Sequence, residues 1–99
     1  MHAAFLDTLT QWGVGALGEQ LGIEFISADR ERVVATMPVE GNTQPLGLLH
    51  GGASAVLAES LGSIHGTLLV APESVVVGID LNCTHHRSVT SGHVRGESL

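Results

Sequence analysis

The chain has 99 residues, enough for one domain whose small core would gain from a partner subunit. Its formal charge of −6 sets ten carboxylates against four arginines and no lysine, which argues against a general nucleic-acid surface and leaves any polyanionic ligand to a few local groups. A single cysteine, Cys83, excludes an intrachain disulfide and suits the reducing cytoplasm.

At the N-terminus no Lys or Arg precedes the apolar residues, and no later run reaches the roughly 18 uninterrupted apolar residues of a membrane span, so neither export nor membrane insertion is expected. Phe5, Leu9 and Trp12 fall at i, i+4 and i+7, which predicts a short amphipathic helix over Ala4–Trp12 before a break at Gly13-Val14-Gly15. Ile23–Ser27 and Arg32–Pro38 are β-rich runs joined by the polar stretch Ala28-Asp29-Arg30-Glu31, the pattern of an antiparallel hairpin. Val39–Leu49 carries Gly41, Asn42, Pro45 and Gly47 and reads as an irregular, ordered loop, the kind of segment that carries function.

Gly52–Val70 places Leu57, Leu61, Ile64 and Leu68 at i, i+4, i+7 and i+11 among small and apolar residues, which predicts a buried central helix. In Ser74–His86 the set Val75, Val77, Ile79, Leu81 and Cys83 alternates with Val76, Gly78, Asp80, Asn82 and Thr84, the pattern of a long strand burying its apolar face, Cys83 included. Ser88–Gly92 reads as a turn, and His93 opens a further strand that stops at Leu99, so the sequence reads as one α+β domain over residues 1–99 that is cut short at its C-terminus.

Glu59 is the one charged residue of the predicted helix. Helix geometry sets it among Gly52, Val56, Ser63 and Gly66, opposite the leucine stripe. A carboxylate there reaches solvent, caps a neighbouring loop or is kept for chemistry, because burying it unpaired costs several kcal/mol. At the start of the same helix Gly51 and Gly52 expose backbone N–H groups at the positive end of the dipole, where a developing oxyanion would be stabilised. Gly51 and Glu59 stand eight positions apart, about 12 Å along a helix, too far for both to reach one carbonyl. Two antiparallel copies of the helix around a two-fold axis bring Glu59 of one chain to Gly51 of the other, which predicts a homodimer with two composite sites.

The run from Gln44 to Ser63, with Leu48-Leu49-His50-Gly51-Gly52-Ala53 and Glu59 within it, resembles the hotdog-fold thioesterases of the phenylacetate-operon and 4-hydroxybenzoyl-CoA thioesterase type. Ala35-Thr36-Met37-Pro38-Val39 and Asn82–Gly96 are similar to the branch that includes 1,4-dihydroxy-2-naphthoyl-CoA hydrolase. The resemblance implies an antiparallel sheet wrapped around a central helix, assembly into homodimers or homotetramers, and hydrolysis of an aromatic or other acyl-CoA thioester without a metal or redox cofactor, coenzyme A being part of the substrate. It implies Glu59 as nucleophile or general base, the Gly51 amide as the group that polarises the carbonyl, Gln44 and His50 as positioning groups, and Ser63 as an assisting hydroxyl. It also implies that Gly78 lines the pantetheine path and that His85, His86, Arg87 and Ser88 meet the nucleotide, where an arginine suits phosphate. Read without the resemblance, Arg87 is equally a solvated strand end. Family members continue through two further strands, one of whose loops also contacts coenzyme A.

Cys83-Thr84-His85-His86 is a poor metal site, because a strand turns neighbours to opposite faces and only one cysteine exists. His65 reads as a packed or interface histidine. The alternatives to a thioesterase are a non-catalytic acyl-CoA-binding hotdog module and a hydratase or dehydratase of the same fold.

Overall fold

The computed structural model describes residues 13–70 and 72–99; the helix expected over Ala4–Trp12 lies outside them. Helix α1 (Gly15–Leu21), strands β1 (Glu24–Ala28) and β2 (Val33–Pro38), helix α2 (Gly51–Val70) and strand β3 (His93–Ser98) follow in that order. The sheet is antiparallel with the order β1-β2-β3, and α2 packs on one of its faces.

The predicted hairpin forms, and its turn has a clear cause. The Asp29 carboxylate accepts hydrogen bonds from the Glu31 and Arg32 N–H groups, both at 2.8 Å, as an aspartate favours in a tight turn. The register slips between Phe25 and Ser27, so Ile26 is left out of the ladder and lies 60% exposed. On β2, Val33, Ala35 and Met37 face the core with Ile23 and Ala28, and from α2 they meet Ala53, Leu57, Leu61 and Leu68. Ile64, expected in that stripe, is half-buried at its margin.

Helix α1 was not foreseen, because its glycines disfavour a helix. Its C-terminal geometry accounts for it. Gly22 sits at φ 76°, its N–H donates to Glu19 O at 3.1 Å and the Ile23 N–H donates to Gly18 O at 3.0 Å, the paired closure of a Schellman motif. By length and mean hydropathy (1.3) α2 would pass for a membrane span, yet its leucine stripe is buried against the sheet. His65, buried on α2, bonds through Nε2 to Arg30 O at 2.8 Å and through Nδ1 to Ser98 Oγ at 2.7 Å, tying the helix to the hairpin turn and to β3. It is a packed histidine, as its sequence context predicts.

Gly96 of β3 faces the helix at close range. A Cβ there would stand 2.5 Å from Leu61 Cδ1 and 3.4 Å from Leu57 Cδ2. Gly96→Val is therefore expected to overpack the interface and lower stability by about 1–3 kcal/mol, read as a fall in urea midpoint with the slope unchanged.

Candidate active site

The loop before α2 is irregular and ordered, as its composition predicts. Gln44 N–H donates to Leu48 O at 2.8 Å, Gly47 N–H returns to Gln44 O at 2.9 Å, and Gly47 supplies the positive φ (83°) that the turn requires. The Gln44 Oε1 atom accepts the Leu46 N–H, and the amide NH2 at the other side of that carboxamide has no hydrogen-bond partner among the described residues. Leu49 N–H donates to Val89 O at 2.8 Å and Val39 N–H to Gly92 O at 2.9 Å, so the loop is stitched to the chain just ahead of β3.

His50 caps α2. Its Nδ1 accepts the Gly52 N–H at 2.8 Å, and its carbonyl accepts from Ala53 at 3.0 Å and Ser54 at 3.3 Å. A Cβ on Gly52 would fall 2.9 Å from that Nδ1, so the glycine makes room for the capping ring. Among the described residues the Gly51 N–H has no hydrogen-bond partner. It is thus an open donor at the positive end of a 20-residue helix.

Residues 74–90 do not form the long strand expected over Ser74–His86, and the predicted burial of its apolar set is corrected. The run is extended but has no ladder partner among the described residues, so its backbone is not held in a sheet. Val75 (66%), Val77 (75%) and Ile79 (95%) face outward, and Cys83 is exposed rather than packed in the core. The alternate residues meet α2. A Cβ on Gly66 would lie 3.3 Å from Val76, a Cβ on Gly78 would lie 3.0 Å from Glu59 Cδ, and a Cβ on Gly51 would lie 3.1 Å from His85 Nε2. These contacts run from the C-terminal to the N-terminal end of α2, so the segment lies antiparallel along the helix, on the side away from the leucine stripe. Val76 N–H donates to Thr67 Oγ1 at 2.9 Å and fixes where it starts. Thr67 was not singled out in the sequence; a hydroxyl near a helix C-terminus carries no specific signal.

This path gathers most of the predicted site. A cleft of about 480 Å³ is lined by Gln44, Leu48, Leu49, Gly51, Ser54 and the run His85–Val89, so Gln44 and Gly51 share one cavity with His85, His86, Arg87 and Ser88. Glu59 is not in that cleft. It lies on the exposed side of α2 with Gly78 against its carboxylate, makes no ion pair among the described residues, and has half-buried Ser63 one turn further on. The helix expected to be buried buries a stripe rather than its whole circumference, and Glu59 lies outside that stripe. Among the arginines, Arg32 and Arg95 both close on Glu97 Oε1, at 3.3 and 2.9 Å, whereas Arg87 faces the cleft.

A long helix laid on an antiparallel sheet is the arrangement of the hotdog-fold thioesterases. The sequence profile of the Thioesterase superfamily matches residues 46–98, and the chain belongs to that superfamily. It is 50% identical over 92 residues to the proofreading thioesterase EntH of Cronobacter turicensis, covering 92% of this chain and 67% of that protein. It is 48% identical over 92 residues to 1,4-dihydroxy-2-naphthoyl-CoA hydrolase of Escherichia coli K12, covering 92% and 68%. The crystal structure of a thioesterase from Haemophilus influenzae superposes with a TM-score of 0.84 at 41% identity, over 93% of this chain and 65% of that one. The chain spans 54% of a putative esterase of Deinococcus radiodurans, to which it is 58% identical over 85 residues, and 68% of the Escherichia coli hydrolase.

Proposed function

We propose that this chain is the catalytic part of an acyl-CoA thioesterase acting on an aromatic acyl group of the hydroxybenzoyl or dihydroxynaphthoyl type, in the cytoplasm. The open Gly51 N–H in a cleft shared with Arg87 carries this reading: the first group suits a carbonyl oxygen and the second suits phosphate. Similarity to proteins named for a proofreading thioesterase and for 1,4-dihydroxy-2-naphthoyl-CoA hydrolase supports the substrate class.

In the proposed reaction the thioester oxygen rests on the Gly51 N–H and gathers charge there. Glu59 either adds to the carbonyl carbon, giving a mixed anhydride that water opens, or takes a proton from the water that adds. The C–S bond breaks, the coenzyme A sulfur leaves as thiolate and takes up a proton, and the acid is released. Hydrolysis of this kind requires no redox partner and no metal, and coenzyme A enters only as part of the substrate. Gln44 and His50 position the thioester and water, and Ser63 assists from the Glu59 side.

Glu59 and Gly51 of one chain lie on opposite ends of this stretch of α2, so the reading requires a second copy whose helix runs antiparallel. The outward row of Val75, Val77 and Ile79 supports self-association, since such a contiguous apolar face marks a protein contact. The test is thiol release from benzoyl-, 4-hydroxybenzoyl-, 1-hydroxy-2-naphthoyl- and short aliphatic CoA esters. Turnover with an aromatic preference supports the proposal, and tight CoA-ester binding without turnover, at full family length as well, makes this an acyl-CoA-binding module. Arg87→Ala is expected to raise KM for CoA esters about tenfold at low salt with kcat little changed, the gap narrowing as salt screens the phosphate contact.

A further inference from the structure

Asn42 and His65 are the buried polar residues among those described, and Asn42 plays no part in the chemistry proposed above. It is 6% exposed, and its Nδ2 donates to Leu21 O at 2.6 Å and to Pro38 O at 2.8 Å. One planar NH2 group thus holds the last residue of α1 to the last residue of β2. The Asn42 backbone continues the clamp, its N–H donating to Val39 O at 2.9 Å and its carbonyl accepting the His50 N–H at 2.9 Å.

His50 immediately precedes Gly51 and shares a peptide plane with the Gly51 N–H. In a trans peptide the carbonyl and the following N–H point in opposite directions. Because the His50 carbonyl is turned into α2 by Ala53 and Ser54, the Gly51 N–H must point back out of the helix. What remains to be fixed is the position of His50 itself, and that is set by the Asn42 carbonyl on one side and the Gly52 cap on the other.

We propose that Asn42 is a positioning residue that aims the Gly51 N–H into the cleft. The assignment rests on the proposed role of Gly51 as the donor to the thioester carbonyl. A carboxamide is required because both side-chain partners are carbonyl oxygens, which accept and never donate. Aspartate has the same shape but would set acceptor against acceptor at both contacts, and serine keeps a donor without the reach to bridge the two.

The test compares Asn42→Asp and Asn42→Ser with the unaltered chain by amide hydrogen exchange and by steady-state hydrolysis of an aromatic CoA ester. Asn42→Ser, the gentler change, carries both readouts if Asn42→Asp does not fold. The expected result is His50 N–H exchange faster by about tenfold or more, a displaced Gly51 amide resonance, and amides of β2 and β3 exchanging as before. With them comes a fall in kcat of about tenfold with KM within about twofold, the pattern of a donor misaimed in the transition state. Unchanged His50 exchange overturns the proposal, as does an equal rise across β2 and β3, which would make Asn42 a general stabiliser. An active chain whose kcat ignores both substitutions also overturns it while leaving the thioesterase reading intact. A chain inactive on every ester, with His50 and Gly51 responding as stated, upholds the positioning and removes the proposed activity instead.

Discussion

Glu59→Gln is expected to lower hydrolysis of aromatic CoA esters by about 10²–10⁴-fold, the range general acid–base catalysis supplies, and by more if the carboxylate is the nucleophile. Binding of the ester should persist, because glutamine keeps the length and shape of glutamate and the side chain lies on the exposed side of α2. Gly78 sharpens the expectation. Its missing side chain is what lets the carboxyl group lie flat against the extended segment, with a Cβ there only 3.0 Å from Cδ, and the carboxamide fits the same space. The substitution therefore removes a base or nucleophile and changes little else. The measurement is thiol release under saturating ester, with the affinity for a CoA ester taken separately; retention of most of the rate would end the assignment of Glu59. A burst of thiol ahead of acid in the unaltered chain would favour the anhydride route over direct attack by water.

Where periodicity and packing agree, the sequence was enough. The β1–β2 hairpin, α2 and β3 each carry their period and their turn chemistry locally, with Asp29 at the hairpin turn and the leucine stripe on α2. Gly15, Gly18 and Gly22 weigh against a helix at α1, while the two bonds that close its C-terminus are set by backbone conformation. The alternation through Ser74–His86 correctly marked two faces but assigned them the wrong way round. The pattern predicts a strand with its apolar set inside, whereas in the structure Val76 and Gly78 meet α2 and Val77 and Ile79 face out. Alternation gives a period, not the side on which a partner stands. At the candidate site, chain order placed Gln44 and Gly51 near the helix start, and the return of the extended segment brought His85–Ser88 beside them. In the sequence Asn42 is one of the loop-forming residues between Val39 and Leu49, and only its burial and its two carbonyl partners distinguish it from an ordinary turn asparagine.

Leu68→Ala is expected to cost about 2–5 kcal/mol, a large part of the stability available to a domain of this size. Leu68 is fully buried, whereas the adjoining Leu69 is 47% exposed, so Leu69→Ala serves as the control and should stay within about 0.5 kcal/mol. The stripe is unequally covered. Beside Leu57 and Leu61 the open edge of β3 leaves a groove of about 330 Å³ reaching Val94 and Gly96, so truncation there would leave a hollow already continuous with solvent. Leu68 is 0% exposed, so the loss there includes both transfer free energy and a cavity. With a urea slope of about 1–3 kcal/mol/M, the midpoint should fall by about 0.7 M or more. The same residue adjoins Thr67, whose hydroxyl anchors Val76 and hence the path that delivers Gly78 to Glu59 and His85 to Gly51. Loosening α2 at Leu68 should therefore also raise KM for CoA esters at temperatures where the chain is still folded. A Leu68→Ala chain with unchanged KM would show that the extended segment is held by something other than the helix it follows.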